Sequence, residues 1–328
     1  MKVQLIVENM NSSNDSSFDT EVCDPPDVMK KLFVCLHIVV IIIGFPSNCF
    51  SVFVSYQHIR QGNELGVYLM NLALADLFFI MTLPIWMDYS LKEHWQHGGT
   101  ACTVCVILMF THFYASVSLL CGIAVDRYLA VVHPLRYPFV RKRGPATGIC
   151  ILSWTCSAIF NATTVSTPMV FAEEHNQCLD TFPIPEMQRH VNIARFFVWF
   201  LLPSALVGFC YWKISQEVRS NRATEEQERQ RVCRLLRLVQ LTLLLCFGPI
   251  HIMLLLRALL EDCQTQPWLY YPYKVSAALA TLNCLADPLL YCFITRSGRA
   301  SVSKAFLFLQ RKSNGTHSER ELAAVSQP

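Results

Sequence analysis

Seven apolar stretches, each long enough to cross a hydrocarbon slab, recur along this 328-residue chain. They run roughly over 32–56, 66–90, 100–131, 146–171, 191–217, 233–259 and 269–293. A membrane-spanning helix needs about 20 mostly apolar residues, because only internal hydrogen bonding satisfies its backbone in lipid. Any one stretch could be the buried helix of a soluble protein. Seven together, in a chain only 16% charged, fit a membrane far better, since soluble domains carry about 25%. The expected fold class is an all-α membrane protein, a seven-transmembrane helix bundle with a short amphipathic helix after the seventh span. That divides the chain into an extracellular tail (1–31), the bundle (32–294), an amphipathic membrane-surface helix (295–311) and a cytoplasmic tail (312–328).

Charge placement orients the bundle. Arg60, then Arg136, Arg141, Lys142 and Arg143, then Arg219 through Arg237, occupy alternate connections, and Arg296, Arg299 and Lys304 follow the last span. The other connections are acidic or mixed, with Glu93, Glu173, Glu174, Asp180, Glu186, Glu261 and Asp262. Positive residues favour the cytoplasm, which puts the N-terminus outside. The basic runs read as topology signals and as contacts for membrane lipid or a cytoplasmic partner protein, and no nucleic acid is expected as a partner. The first ten residues contain Glu8 and Asn9 and lack an apolar core, so the first span is expected to act as the membrane signal. Asn11 and Asn14 open Asn-x-Ser triplets on the outer side and are expected to be glycosylated. With no phosphate loop, zinc spacing or nucleophile elbow, an enzyme is not expected.

Most of the fifteen cysteines fall in the spans, where a thiol is a small apolar filler. Only the oxidising outer face favours pairing. Cys102 opens the third span and Cys178 lies in the second outer connection, so these two are expected to join. Cys105, one turn below Cys102, is a competing partner that spacing leaves open. Cys23 in the tail is expected to reach Cys263 beyond the sixth span.

The third stretch closes on Asp126-Arg127-Tyr128. A lone ion at the slab's edge is expensive, so Asp126 is expected to hold Arg127 until a partner protein draws it away. Other marks recur at fixed places: Gly44-Phe-Pro-Ser-Asn48, Asn71-Leu-Ala-Leu-Ala-Asp76, Trp154, Pro203 with Tyr211, Cys246-Phe247-Gly248-Pro249, and Asp287-Pro288-Leu-Leu-Tyr291. Over about residues 30–310 the chain resembles a rhodopsin-like G-protein-coupled receptor. Leu83-Pro-Ile-Trp-Met-Asp-Tyr and the segment from Asn221 to Arg231 are similar to the proton-sensing subfamily, nearest its T-cell-death-associated (psychosine-receptor) branch.

The resemblance implies a plasma-membrane receptor with protons as agonist, a stimulatory heterotrimeric G protein raising cyclic AMP, and arrestin and receptor kinases at the C-terminal tail. G-protein coupling would fall to Asp126, Arg127, Tyr128, Tyr211 and Tyr291. The switch would fall to Phe247, Pro249, Asn283 and Pro288, whose prolines bend helices and give the bundle two packings. No cofactor is implied beyond a sodium ion held in the resting state by Asp76, Ser116 and Asn283. A lysolipid or psychosine receptor is the alternative, with Arg195, Arg257 and Lys274 near the outer cavity. Arg195 is expected to balance an acidic loop residue. A proton transporter or channel is a third reading, disfavoured by the leucine-rich sixth span. Met109 stands where an aminergic receptor needs Asp, and Thr281 where an opsin needs Lys. Two departures stand out: Ser157 replaces a family Glu three residues after Trp154, and His112 stands where relatives tend to carry Asn.

Of ten histidines, His37, His94, His97, His175, His190 and His251 fall in the outer half and His112 in mid-bundle. Imidazole titrates at about 6.5, in the range of tissue acidification. Outer histidines near Glu173 and Glu174 would exchange carboxylate repulsion for attraction as pH falls. His251, one turn from Phe247 and beside Pro249, can act on the sixth-helix bend. Asp76 and Asp287, if close, cannot both stay ionised cheaply, and His112 is expected to approach Asp76.

Overall fold

A computed structural model describes residues 27–137, 139, 142–173, 176–179, 184–220, 226–260 and 266–294. Six helices in it are long and apolar enough to cross a membrane: α1 (Lys30–Arg60), α2 (Leu65–Lys92), α3 (Gly98–Val132), α4 (Arg143–Thr164), α5 (Glu186–Arg219) and α6 (Gln230–Leu260). The seventh, α7, is two helical pieces, Gln266–Thr281 and Asn283–Ile294, separated at Leu282. Neighbouring helices pack on one another from α1 to α4 and from α5 to α7, α4 also lies against α2 and α3 against α5, and α7 returns to α1 and α2, closing the bundle. Large apolar side chains such as Ile42, Phe53, Ile159, Leu202 and Leu245 point outward. In water such a surface would aggregate; around a bundle it is the lipid-facing belt.

Prolines set the bends. Three helices widen into a π-turn, at Val40–Gly44 in α1, Phe197–Leu201 in α5 and Leu243–Phe247 in α6. Each widened turn ends two residues before a proline: Pro46, Pro203 and Pro249. A proline ring collides with the carbonyl four residues back, and that carbonyl falls inside the widened turn, which moves it aside. Close approach has its own requirement at Gly66, where an added Cβ would lie 2.9 Å from the Ser55 carbonyl oxygen, so α1 and α2 meet at backbone distance.

The fourth span was expected to run to 171, but α4 stops at Thr164. Val165 is extended (φ −112°, ψ 119°), a single helical turn follows at Thr167–Val170, and Phe171–Ala172 (β1) pairs antiparallel with Gln177–Cys178 (β2). The β-branched Val165 favours extended backbone, and the proline at 168 has no N–H to continue the ladder onto the Thr164 carbonyl. The resulting hairpin brings Cys178 to Cys102, and the two form a disulfide with Cα atoms 5.7 Å apart. Cys105 is buried and free, which closes the alternative left by spacing. Cys23, Cys263, Asn11, Asn14, and the segments 295–311 and 312–328 lie outside the described residues.

Candidate functional site

Polar side chains gather where α2, α3 and α7 face one another. Asp76, Ser116, Asn283, Asp287 and Asn48 are fully buried, and His112 is 2% exposed. His112 Nε2 lies 2.8 Å from Asp76 Oδ1, and its ring stacks on Phe79 at 4.6 Å between centroids. The facing surfaces that suggested this approach are joined by a hydrogen bond. Asn283 Nδ2 donates to Asp287 Oδ2 at 2.8 Å, one turn along α7. Cys284 Sγ comes within 3.9 Å of His112 Nε2. Sequence alone reads that thiol as filler; only the fold reveals its neighbours.

Sodium prefers a cage of oxygens. Asp76 and Ser116 supply oxygens here, and Asn283 keeps its Oδ1 unpartnered while its Nδ2 donates to Asp287, but Asp76 Oδ1 already meets an imidazole nitrogen. The carboxylate also has an imidazole nitrogen and a thiol sulfur beside it, donors that a hard monovalent ion does not favour.

A second histidine lies toward the outer side. His251 on α6 is 1% exposed, and its Nδ1 sits 2.7 Å from the Phe247 carbonyl oxygen. A carbonyl can only accept, so Nδ1 carries the hydrogen and Nε2 is the bare nitrogen of a neutral ring. Nε2 has no hydrogen-bond partner. The ring stacks on Phe200 of α5 (5.5 Å) and tilts against Tyr114 of α3 (6.0 Å). Tyr114 in turn stacks on Trp199. Phe247 links the two histidines: its carbonyl holds His251, and its ring meets Phe113, the neighbour of His112, at 5.8 Å.

Arg195 is 2% exposed, with its guanidinium 4.0 Å over the Phe110 ring and Nη1 donating to Asn192 at 3.2 Å. An acidic loop partner was expected; among the described residues it is held by an aromatic face and an amide. Arg257 lies over Tyr273 at 4.6 Å and Lys274 over Tyr89 at 5.8 Å.

On the outer rim His94, His97 and His190 are exposed, and His37 is partly buried in α1. His97 Nε2 lies 3.3 Å from Asp88 Oδ2 and packs edge-on against Trp95 at 5.3 Å. Asp88 is a partner sequence reasoning did not name. Its place in Leu-Pro-Ile-Trp-Met-Asp-Tyr is the signal that could have found it. Trp95 N donates to the Asn176 carbonyl, and the Cys178 amide to Tyr89 Oη, so this rim is tied to the disulfide-held hairpin. Glu173 is exposed on that hairpin; Glu174 and His175 are outside the described residues.

At the opposite end Arg127 Nε donates to Asp126 Oδ2 at 2.9 Å, and Arg127 Nη2 reaches Glu64 Oε1 at 2.8 Å. Tyr128 Oη lies 3.2 Å from His133 Nε2. Tyr211 Oη accepts from Arg237 Nη2 at 3.2 Å, a cation on the sixth helix. Tyr291 falls in α7.

Residues 47–291 match the sequence profile described as "7 transmembrane receptor (rhodopsin family)". Relatives include G-protein coupled receptor 68 of Mus musculus, 37% identical over 84% of this chain and 77% of its own length. G-protein coupled receptor 65 of Homo sapiens is 36% identical over 90% of this chain and 92% of its own. Lysophosphatidic acid receptor 6 of Gallus gallus is 27% identical over 83% and 92%. With a seven-helix bundle, an Asp-Arg-Tyr ion pair at its end and a profile match across most of its length, the chain belongs to the rhodopsin family of seven-transmembrane receptors.

Proposed function

We propose that this receptor reports extracellular acidification to heterotrimeric G proteins, through the stimulatory G protein and cyclic AMP, at the plasma membrane with its N-terminus outside. The observation that carries the reading is His251. Its pocket accepts a neutral imidazole: Nδ1–H is spent on Phe247, Nε2 has no acceptor, and Arg195 would repel a positive charge. Tyr114 is the other titratable group against the ring. A proton on Nε2 would therefore be an unsatisfied buried charge in this packing, and any arrangement admitting water or an acceptor there relieves it. His251 sits four residues after Phe247 and two after Pro249, so the relief is a movement of the outer half of α6 about its π-turn.

The exposed rim adds to the same direction. A protonated His97 gains an ion pair with Asp88, at the base of the hairpin held by Cys102–Cys178. Arrestin and receptor kinases would act at the C-terminal tail. The test is cyclic AMP output from cells expressing the receptor, stepped from pH 8 to 6 without added lipid. A rise as pH falls supports the reading; a flat response overturns it.

A lysolipid-binding receptor is the second reading, favoured by the cations Arg195, Arg257 and Lys274 and by the similarity to a lysophosphatidic acid receptor. It predicts a response to added lysolipid at fixed pH that disappears on Arg195→Ala.

A further inference from the structure

Three helices each place one metal-binding atom at the same point in the bundle. The carboxylate of Asp76 (α2), the Nε2 of His112 (α3) and the Sγ of Cys284 (α7) all lie within 4.8 Å of one another. The nitrogen is 2.8 Å from the carboxylate oxygen and 3.9 Å from the sulfur. A tetrahedral ion with bonds of about 2.0–2.3 Å requires ligand atoms about 3.3–3.7 Å apart. The two separations bracket that range, so small adjustments seat an ion between the three groups.

We infer that Asp76, His112 and Cys284 form a binding site for a divalent transition-metal ion of the zinc class. The donor set decides the class: imidazole nitrogen and thiolate sulfur select zinc-like ions over the hard cations that all-oxygen sites hold. A second observation points to a ligand. Asp76 Oδ2 is buried without a hydrogen-bond partner, and so is the hydroxyl of Ser116, one helical turn from His112 on the same face. A hydrogen bond between His112 and Asp76 uses one carboxylate oxygen and leaves the other bare. A metal ion uses both the lone pairs and the negative charge, and leaves its fourth position for Ser116 or a water molecule.

Binding balances simply. The Cys284 thiol gives up its proton to solvent, the hydrogen shared by His112 Nε2 and Asp76 moves to Nδ1, and the ion takes the vacated positions. Because the three ligands come from three helices, an ion there ties α2, α3 and α7 in the packing described above. Zinc should oppose activation, and acid should oppose zinc. The site does not rest on proton sensing.

The test uses the purified full-length receptor, freed of metal and titrated with cobalt(II), a spectroscopic stand-in for zinc. At one equivalent the expected result is a sulfur-to-cobalt charge-transfer band in the near ultraviolet with intense tetrahedral visible bands. The described residues hold ten free cysteines, Cys284 among them, so the band must be assigned against the nine others. Cys284→Ser should abolish the charge-transfer band, and His112→Asn should weaken binding at least about tenfold while the band persists at saturation. No band in the unmodified receptor, or a full band in Cys284→Ser, overturns the site. Should Cys284→Ser fail to fold, His112→Asn alone decides, with unchanged affinity as the overturning result. A flat acid response with this cobalt signature intact would remove the proton-sensing reading and leave the metal site standing.

Discussion

Arg127 is held from two sides: by Asp126, its neighbour in sequence, and by Glu64 Oε1, 2.8 Å away at the N-cap of α2 and 63 positions earlier. Glu64 therefore stabilises the state in which the arginine is unavailable to a G protein. The side chains are 17% and 15% exposed, a partly screened pair, and such pairs contribute up to about 1 kcal/mol.

Removing that contact should raise basal signalling. Glu64→Gln is expected to shift the resting equilibrium by up to about fivefold toward the coupled state, read as cyclic AMP at pH 7.8 normalised to surface expression. Arg127→Ala should abolish signalling with expression retained. Full output from Arg127→Ala would remove Arg127 from coupling.

His251 should set most of the acid response. The resting packing takes the neutral ring; a packing that gives Nε2 an acceptor holds the proton more tightly, so falling pH shifts the population toward it. Signalling accordingly rises as pH falls. His251→Phe preserves the stack on Phe200 without a titrating nitrogen, and should remove most of the rise between pH 8 and 6 while leaving surface expression unchanged. An unaltered titration would place the sensor elsewhere.

The rim should act as a smaller, additive contribution. His97 is exposed and pairs with Asp88. An exposed pair is screened by water and contributes little. His97→Asn should therefore move the midpoint less than His251→Phe does. Replacing His94, His97, His175 and His190 together should move it further than any single change. Asp88→Asn should reproduce the His97→Asn shift, and adding it to His97→Asn should change nothing more.

What the sequence could and could not convey follows from range. Apolar runs and prolines are local signals, so the spans and the α5 and α6 bends were legible, as was the pairing of two cysteines on an oxidising face; the widened turn of α1 was not. The end of α4 was not read, although Ser166 and the proline at 168 mark it locally; the hairpin beyond them fixes where the helix stops. Glu64 and Asp88 were missed because each is an ordinary helix-surface carboxylate until a distant cation comes alongside. Cys284 read as filler for the same reason: its meaning comes from α2 and α3. His112 was legible because an ionisable side chain in mid-membrane is costly wherever it points.

The contact between Asn48 and α7 gives a sharper test of how local chemistry becomes bundle stability. Pro288 has no N–H, so the Cys284 carbonyl four residues earlier loses its helical donor. Asn48 Nδ2 fills that vacancy from α1 at 2.9 Å, while also donating to its own Gly44 carbonyl at 3.0 Å. All the groups are buried, and a buried acceptor left bare costs about 1–3 kcal/mol. Asn48→Ala should therefore lower the melting temperature of the purified receptor measurably. Pro288→Ala restores a backbone donor at the very carbonyl Asn48 serves. In that background Asn48→Ala should be much less damaging, giving a coupling of about 1 kcal/mol or more in a double-mutant cycle. Strict additivity would mean that Asn48 stabilises the bundle by some route other than the carbonyl Pro288 exposes.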